Sequence, residues 1–448
     1  MSIDYTLAEI AGMLDADGPD RAETIRVTGV STDTRTLQPG DLFFALSGDS
    51  HDGDRFVDTA FERGAAAAVT HTPHVSGPCL LQGHPLQALQ RLAAAHRAKC
   101  SARVIALTGS CGKTTAKEMI ASVLGTQYGV IKTPGNLNND IGCPLSLLGI
   151  TPQTQYAIIE MGANHTGEIA QLCRMARPNE SAVTMVAPAH LEGFGDIGGV
   201  ARAKAEIMEA LPADGCFYVN ADDPHCMEMA GKFPGDKVYF GKHGDVILES
   251  LHFDANGEMV LSVHPVGILR LPLAVRAHST NVLLAVSVGL RHHITQFEAP
   301  LRAACEAAIR FKVLKLSPWV ILDDTYNANP ASMVAAIEAL ADFPGRRKIA
   351  VLGDMFELGD ASRRLHLEVG QAAARHGINW LLTLGEHAEA MAAAARATGI
   401  PDAAAYENHE AIAGALTRHA AEGDIILIKG SRGMKMETVI QSLRAAHE

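Results

Sequence analysis

"RVIALTGSCGKTTAKEMIASVLG", Arg103 to Gly125, reads as strand, turn and helix in immediate succession. "RVIALTG" is an apolar run of the kind that forms a strand covered on both faces. After the turn, Ala116, Met119, Ile120, Val123 and Leu124 recur at the spacing of one helix face. Between strand and helix lies "LTGSCGKTT" (Leu107–Thr115). A turn at that place is an anion site by elementary physics, because free N–H groups and the positive end of the helix dipole meet there. Gly109, Ser110, Cys111, Gly112, Lys113, Thr114 and Thr115 are the candidate cradle for a nucleotide's phosphates. Lys113 would add a point charge, and Thr114 a hydroxyl for Mg²⁺. The spelling falls short of the common pattern G-x-x-x-x-G-K-[ST]: position 107 is leucine, and only Gly109 and Gly112 remain.

The same alternation continues outward. "YAIIE" (Tyr156–Glu160), "SAVTMVAP" (Ser181–Pro188) and "CFYVN" (Cys216–Asn220) are strand-like, with helical stretches between them. They predict a mostly parallel sheet with helices on both faces. From Val246 to Val275, apolar and polar residues alternate between turns, which predicts antiparallel hairpins. A second α/β series starts near Lys312, with strands "WVILDD", "KIAVLGD", "WLLTLG" and "DIILIKG" between alanine-rich helices, a Rossmann-like pattern. Before the central unit, a Pro39–Gly40 turn, strands Leu42–Leu46 and Ala66–Val69, a helix Arg55–Arg63 and a long helix Pro85–Ala98 make a smaller α/β unit. The expectation is an α/β chain of three domains, 1–98, 99–311 and 312–448.

Composition narrows the function. The chain of 448 residues is 47% hydrophobic and carries 38 Lys and Arg against 50 Asp and Glu, a formal charge of −12. An acidic chain with no basic block speaks against nucleic acid as the main partner. No stretch approaches the ~18 apolar residues of a membrane span, and the first residues lack a basic leader, so a cytoplasmic protein is expected. The eight cysteines show no C-x-x-C pair, and reduced thiols are expected.

Ligands of open parallel sheets sit beyond the carboxyl ends of the strands. Glu160 ends one strand, and His190 follows another in "AHLEGFGD". With Thr114 and phosphate oxygens they could complete a Mg²⁺ shell, although histidine is an unusual ligand for that ion. Lys204, in the predicted helix starting near Gly199, reads by itself as a solvated surface lysine. Asp323 and Asp324 end "WVILDD" and suit a ribose hydroxyl, a metal, an ammonium group or the cap of the helix after Pro330. "IKGSRGMKME" places Lys429, Ser431 and Arg432 on a second glycine-bounded loop after a strand.

Taken in order, "TGSCGKTT", "GNLNNDIGCPLSLL", "IIEMGANHTGEI", "HLEGFG", "DDTYNANPASM", "LGDMFELG" and "KGSRGMKME" resemble the sequence blocks of the Mur ligases of peptidoglycan assembly, over residues 31–437. That family's usual loop also lacks the first glycine. "TYNANP" followed by "GDMFELG" resembles the type that adds D-alanyl-D-alanine to UDP-N-acetylmuramoyl-tripeptide. The resemblance implies a UDP-sugar domain, a central P-loop-type ATPase domain and a C-terminal domain bringing the amine. It also implies an ATP-dependent carboxylate–amine ligase that works through an acyl phosphate, acting as a monomer.

Carried over by position, Lys113 would bind phosphates, and Thr114, Glu160 and His190 would hold Mg²⁺. Lys204 would be carbamylated. Asp324, Asn327 and Asn329 would shape the nucleotide pocket, and Asn281 would reach adenine. Ser31, Thr32, Asp33 and Arg35 would lie near the UDP-sugar, and Lys429, Ser431 and Arg432 near the reacting groups or the dipeptide carboxylate. The chain departs from the family at "HSTN" (His278–Asn281), where H-N-x-x-N is usual, and at Ile309-Arg310, where Gly-Arg is usual. Arg310 would still reach the γ-phosphate. A sister ligase using another amine, and a nucleotide-binding switch without catalysis, are the competing readings.

Overall fold

A computed structural model describes residues 3–48, 52–254, 257–308 and 311–445. The strand Arg103–Thr108 lies inside a nine-stranded sheet. Its neighbours are Tyr156–Glu160 on one side and Glu180–Val183 on the other, both parallel to it. Val130–Lys132 lies beyond the first neighbour. Cys216–Asn220, Asp236–Gly241, Val246–Phe253, Met259–His264 and Gly267–Leu271 follow beyond the second. The last three pair antiparallel, as the alternation from Val246 to Val275 predicts.

Alternate residues of Arg103–Thr108 enter two different cores. Ile105 and Leu107 pack with the helices Lys113–Leu124 and His278–Arg291, while Val104 and Ala106 face the opposite core with the helix Pro85–Lys99. All four are 0% exposed, which is why the run is apolar without alternation. Each buried aliphatic side chain of this kind contributes about 1.5–3 kcal/mol. The helix Pro85–Lys99 also shares its core with Leu42 and Phe44, so it joins the first unit to the central sheet.

The first unit carries a parallel four-stranded sheet, Gly29–Ser31, Asp41–Phe44, Ala67–Thr70 and Cys79–Leu81. The last unit carries a six-stranded sheet in the order Lys312–Leu316, Trp319–Asp324, Ile425–Lys429, Lys348–Gly353, Trp380–Leu384, Ala403–Tyr406. Its first pair is antiparallel and the others are parallel. Asp324 therefore sits in register with Lys429 on adjacent strands.

Some elements differ from expectation. The strand expected over Ser181–Pro188 stops at Val183, because the chain beyond it follows the phosphate loop: Ser110 N–H donates to Met185 O at 2.9 Å and the Ser110 hydroxyl to Ala187 O at 2.7 Å. The helix expected over Arg55–Arg63 is a 3₁₀ turn, Gly53–Phe56, followed by a short α-helix, Val57–Glu62. The helix carrying Lys204 begins at Ile197, where the Asp196 carboxylate accepts from Gly199 N–H at 2.7 Å. Asp236–Gly241 opens with two charges, and Ala403–Tyr406 is written in alanine, so neither announces a strand.

Candidate active site

Strand register brings the site together. Leu107 lies opposite both Glu160 and Ala182, so three strands end side by side beneath the phosphate loop. The two loop glycines are required by what stands against them. Gly109 has φ +145°, and a Cβ there would lie 2.0 Å from Thr184 Oγ1. Gly112 has φ +83°, and a Cβ there would lie 2.5 Å from Asn281 Oδ1. Leu107 needs no glycine, because it is still an ordinary buried strand residue. Gly112 caps the helix Lys113–Leu124 and contributes no side-chain bond to the first turn, so the helix N-terminus faces the loop without a side-chain cap. Lys113 Nζ curls back to donate to Gly109 O at 2.7 Å, across the mouth of the loop.

Beside the loop, Thr114 Oγ1 donates to Glu160 Oε1 at 3.3 Å, and Asn138 Nδ2 donates to the same oxygen at 2.8 Å. Glu160 is 1% exposed, and its Oε2 has no hydrogen-bond donor among the described residues. The Lys117 ammonium stands 3.6 Å from Oε2 and donates to Gly135 O at 2.9 Å, entirely buried. A buried carboxylate with spare lone pairs, next to a hydroxyl and a phosphate loop, is an oxygen-rich donor set that fits Mg²⁺. Thr114 and Glu160 would hold the ion, with His190 lining the same cleft.

His190 has φ +51° at the start of a short helix, Leu191–Phe194. Its Nδ1 meets Glu357 Oε2, from the C-terminal unit. Burial holds the imidazole below its ordinary pKa; Glu357 acts in the opposite direction, and the charges of Lys113 and Lys204 reinforce burial. Lys204 overturns the reading of a solvated surface lysine, being only 2% exposed with Nζ 5.5 Å from the centre of the Phe194 ring. Burial first, and then the charge of Lys113, push its ammonium down to about 7.

One cleft of about 1030 Å³ joins the two larger units. The central unit presents residues 110–115, Glu160, His190, His278 and Asn281 to it, and the C-terminal unit presents Asp324, Asn327, Asn329, Lys429, Ser431 and Arg432. His278 is a half-buried imidazole whose Nδ1 is shut off from water, and desolvation pushes it down to about 4, so it is neutral at physiological pH. Lys429 is 1% exposed, and its Nζ donates to Asp324 Oδ2 at 2.6 Å and Asn327 O at 2.8 Å. The Ser431 hydroxyl accepts from Phe356 N–H at 2.9 Å, and Arg432 pairs with Glu437 at 3.1 Å.

The helix after Pro330 is capped by Asn329, not by the paired acids: Asn329 Oδ1 accepts from Ser332 N–H at 2.9 Å. Asp323 instead accepts from its neighbour Thr325. Asn329 Nδ2 reaches across the cleft to Ser110 O at 3.3 Å and Cys111 Sγ at 3.1 Å.

Ser31, Thr32, Asp33 and Arg35 are not among the residues lining this cleft. Ser31 ends a strand of the first unit, and Arg35 pairs with Asp33 at 2.6 Å. That partner lowers the Asp33 carboxyl to about 2. Arg310 lies outside the described residues. Lys117, Asn138 and Glu357 also belong to the site: Asn138 lies within the block "GNLNNDIGCPLSLL" and Glu357 within "LGDMFELG", neither singled out there as a site residue, and Lys117 lies outside those blocks. The signal for Lys117 was a lysine four residues after Lys113, on a helix otherwise written for burial.

Comparison with known proteins agrees with this geometry along the chain. Sequence models for the Mur ligase family catalytic domain, the Mur ligase middle domain and the Mur ligase glutamate ligase domain match residues 26–97, 107–289 and 309–432. UDP-N-acetylmuramoyl-tripeptide–D-alanyl-D-alanine ligase of Escherichia coli is 37% identical over 99% of both chains. The Bacillus subtilis protein of that name is 34% identical over 98% of both. The crystal structure of MurF from Acinetobacter baumannii superposes with a TM-score of 0.89 at 30% identity, covering 99% of both chains. MurF ligase from Thermotoga maritima, solved in complex with ADP, gives 0.83 at 28% identity over 93% of this chain and 97% of that one. The chain belongs to the Mur ligase family.

Proposed function

We propose that this chain joins D-alanyl-D-alanine to UDP-N-acetylmuramoyl-tripeptide at the expense of ATP, as the names of its full-length relatives describe for those proteins. The observation that carries the reading is the single cleft in which a phosphate loop and the Glu160–Thr114 pair face Asp324, Asn327 and Arg432 of a second unit. A nucleotide bridging the two sides would lie with its phosphates on residues 109–115 and its sugar towards Asp324. We assign residues 1–98, 99–311 and 312–448 to UDP-sugar, ATP and dipeptide respectively, with Ser31, Thr32, Asp33 and Arg35 on the UDP-sugar side.

A carboxylate is a poor acyl donor at neutral pH. Transfer of the γ-phosphoryl group onto a carboxylate oxygen, with ADP leaving, makes phosphate the leaving group. The dipeptide amine then attacks the acyl carbon, loses a proton, and inorganic phosphate departs. The protein's part is to neutralise charge and hold the reactants in line. Lys113 and the uncapped helix start would draw charge from the phosphates. Arg432, with 65% of its side chain exposed, would meet the dipeptide carboxylate. Mg²⁺, when bound at Thr114, Glu160 and His190, supplies further charge neutralisation. Lys204, poised near neutrality in a buried site, suits carbamylation by CO₂, which would convert a cation into an acidic ligand.

Among the described residues no helix is long and apolar enough to cross a membrane, and a reaction fuelled by ATP suits the cytoplasm. The test is phosphate release by the purified chain. Release requiring ATP, UDP-N-acetylmuramoyl-tripeptide and D-alanyl-D-alanine together is expected. Release with a single amino acid in place of the dipeptide would shift the assignment to a sister ligase.

A further inference from the structure

The C-terminal unit touches the metal side of the cleft through the loop that carries Glu357. Glu357 Oε2 meets His190 Nδ1, Glu192 N–H donates to Glu357 O at 3.4 Å, and Gly359 lies close enough that a Cβ there would sit 3.6 Å from Glu192 Cα. Both partners hold left-handed backbone, φ +51° at His190 and φ +63° at Glu357. Non-glycine residues adopt that conformation at a cost of order 1 kcal/mol each, and they keep it where the surroundings over-determine it. Two such residues, on loops of different units, are turned towards each other.

We infer that Glu357 is a positioning residue for His190: its carboxylate accepts a hydrogen bond from Nδ1–H, fixes the ring, and leaves Nε2 as the ligand atom. This rests on the proposed role of His190 as a Mg²⁺ ligand. A histidine that ligates through one nitrogen commonly donates from the other to a carboxylate, which fixes the tautomer and raises the basicity of the ligand atom. Here that carboxylate belongs to the unit proposed to bring the dipeptide. Docking of the C-terminal unit therefore completes the metal site, and an undocked unit leaves His190 free to turn. Metal affinity and unit closure are linked through this contact, and by reciprocity the metal favours the closed arrangement.

The test is Mn²⁺ affinity, read by electron paramagnetic resonance on the full-length chain with a non-hydrolysable ATP analogue present. Glu357→Gln is expected to weaken Mn²⁺ binding by roughly 10-fold, Glu357→Asp to recover part of the loss, and His190→Ala to weaken binding at least as much as Glu357→Gln. Wild-type affinity in Glu357→Gln alongside weakened binding in His190→Ala would overturn the positioning role and leave the ligand role standing. Tighter binding in Glu357→Gln would overturn it too, by showing that the carboxylate competes with the ion. Wild-type affinity in His190→Ala would overturn the ligand assignment and this inference with it.

Discussion

Lys113 and Lys429 flank two glycine-containing loops and face one cleft, Lys113 as the first residue of the helix after its loop and Lys429 as the last residue of the strand before its loop. Their surroundings differ. Lys113 begins a helix and donates to a carbonyl of its own loop, an arrangement that a phosphate can displace. Lys429 is entombed against Asp324 and the Asn327 carbonyl, and it holds the turn that carries Asn327 and Asn329. The same residue type in the same loop grammar serves as a ligand in one place and as a brace in the other. What separates them is where the fold puts them: strand register lays Asp324 directly beside Lys429, whereas Lys113 starts a helix and bonds a carbonyl of its own loop.

The comparison can be broken by substitution. Lys113→Ala is expected to lower turnover by 10²–10³-fold or more, while unfolding free energy changes by less than about 1 kcal/mol. Steady-state phosphate release and a denaturant titration check the pair, and substantial residual ligation would remove Lys113 from the phosphates. Lys204→Ala brings in a third lysine, buried like Lys429 but with no acid bonded to it among the described residues. It should be inactive and regain part of its rate with added formate or acetate; full activity without rescue would leave Lys204 as packing. Lys429→Met should act first on stability. Leaving Asp324 without its cation costs about 3 kcal/mol, the low end for a buried pair because Asp324 keeps some contact with water. A melting curve unchanged from wild type would contradict the brace. Asn329→Ala carries the smallest effect, about 1 kcal/mol from the lost helix cap. It should also make Cys111 react faster with a thiol reagent, and an unchanged rate would separate Asn329 from the loop.

Much of this was legible in the chain. Arg103–Gly125 carried strand, loop and helix in the right order, because continuous burial on both faces writes an unbroken apolar strand. Glu160, His190 and Asp324 were legible at or after the ends of strands, where parallel sheets place ligands, while Asn329 came only through the family resemblance and its cap was first given to the paired acids. The burial of Lys204 was not legible: by itself a lysine in a helix reads as solvated, only the family resemblance singled it out, and packing beside Phe194 reveals its burial. Glu357, although it lies inside the block "LGDMFELG", and Lys117 were not legible as site residues for a related reason. Their partners lie 167 and 43 residues away in the chain, and no local pattern encodes a contact made when two units meet.

The central claim is that the substrate carboxylate is activated by phosphorylation. It can be tested with UDP-N-acetylmuramoyl-tripeptide labelled with ¹⁸O in the reacting carboxylate, by mass analysis of the phosphate released on ligation to D-alanyl-D-alanine. The mechanism predicts one ¹⁸O atom in each phosphate, because the oxygen that attacks the γ-phosphorus leaves with it. Unlabelled phosphate released alongside ligated product would contradict it.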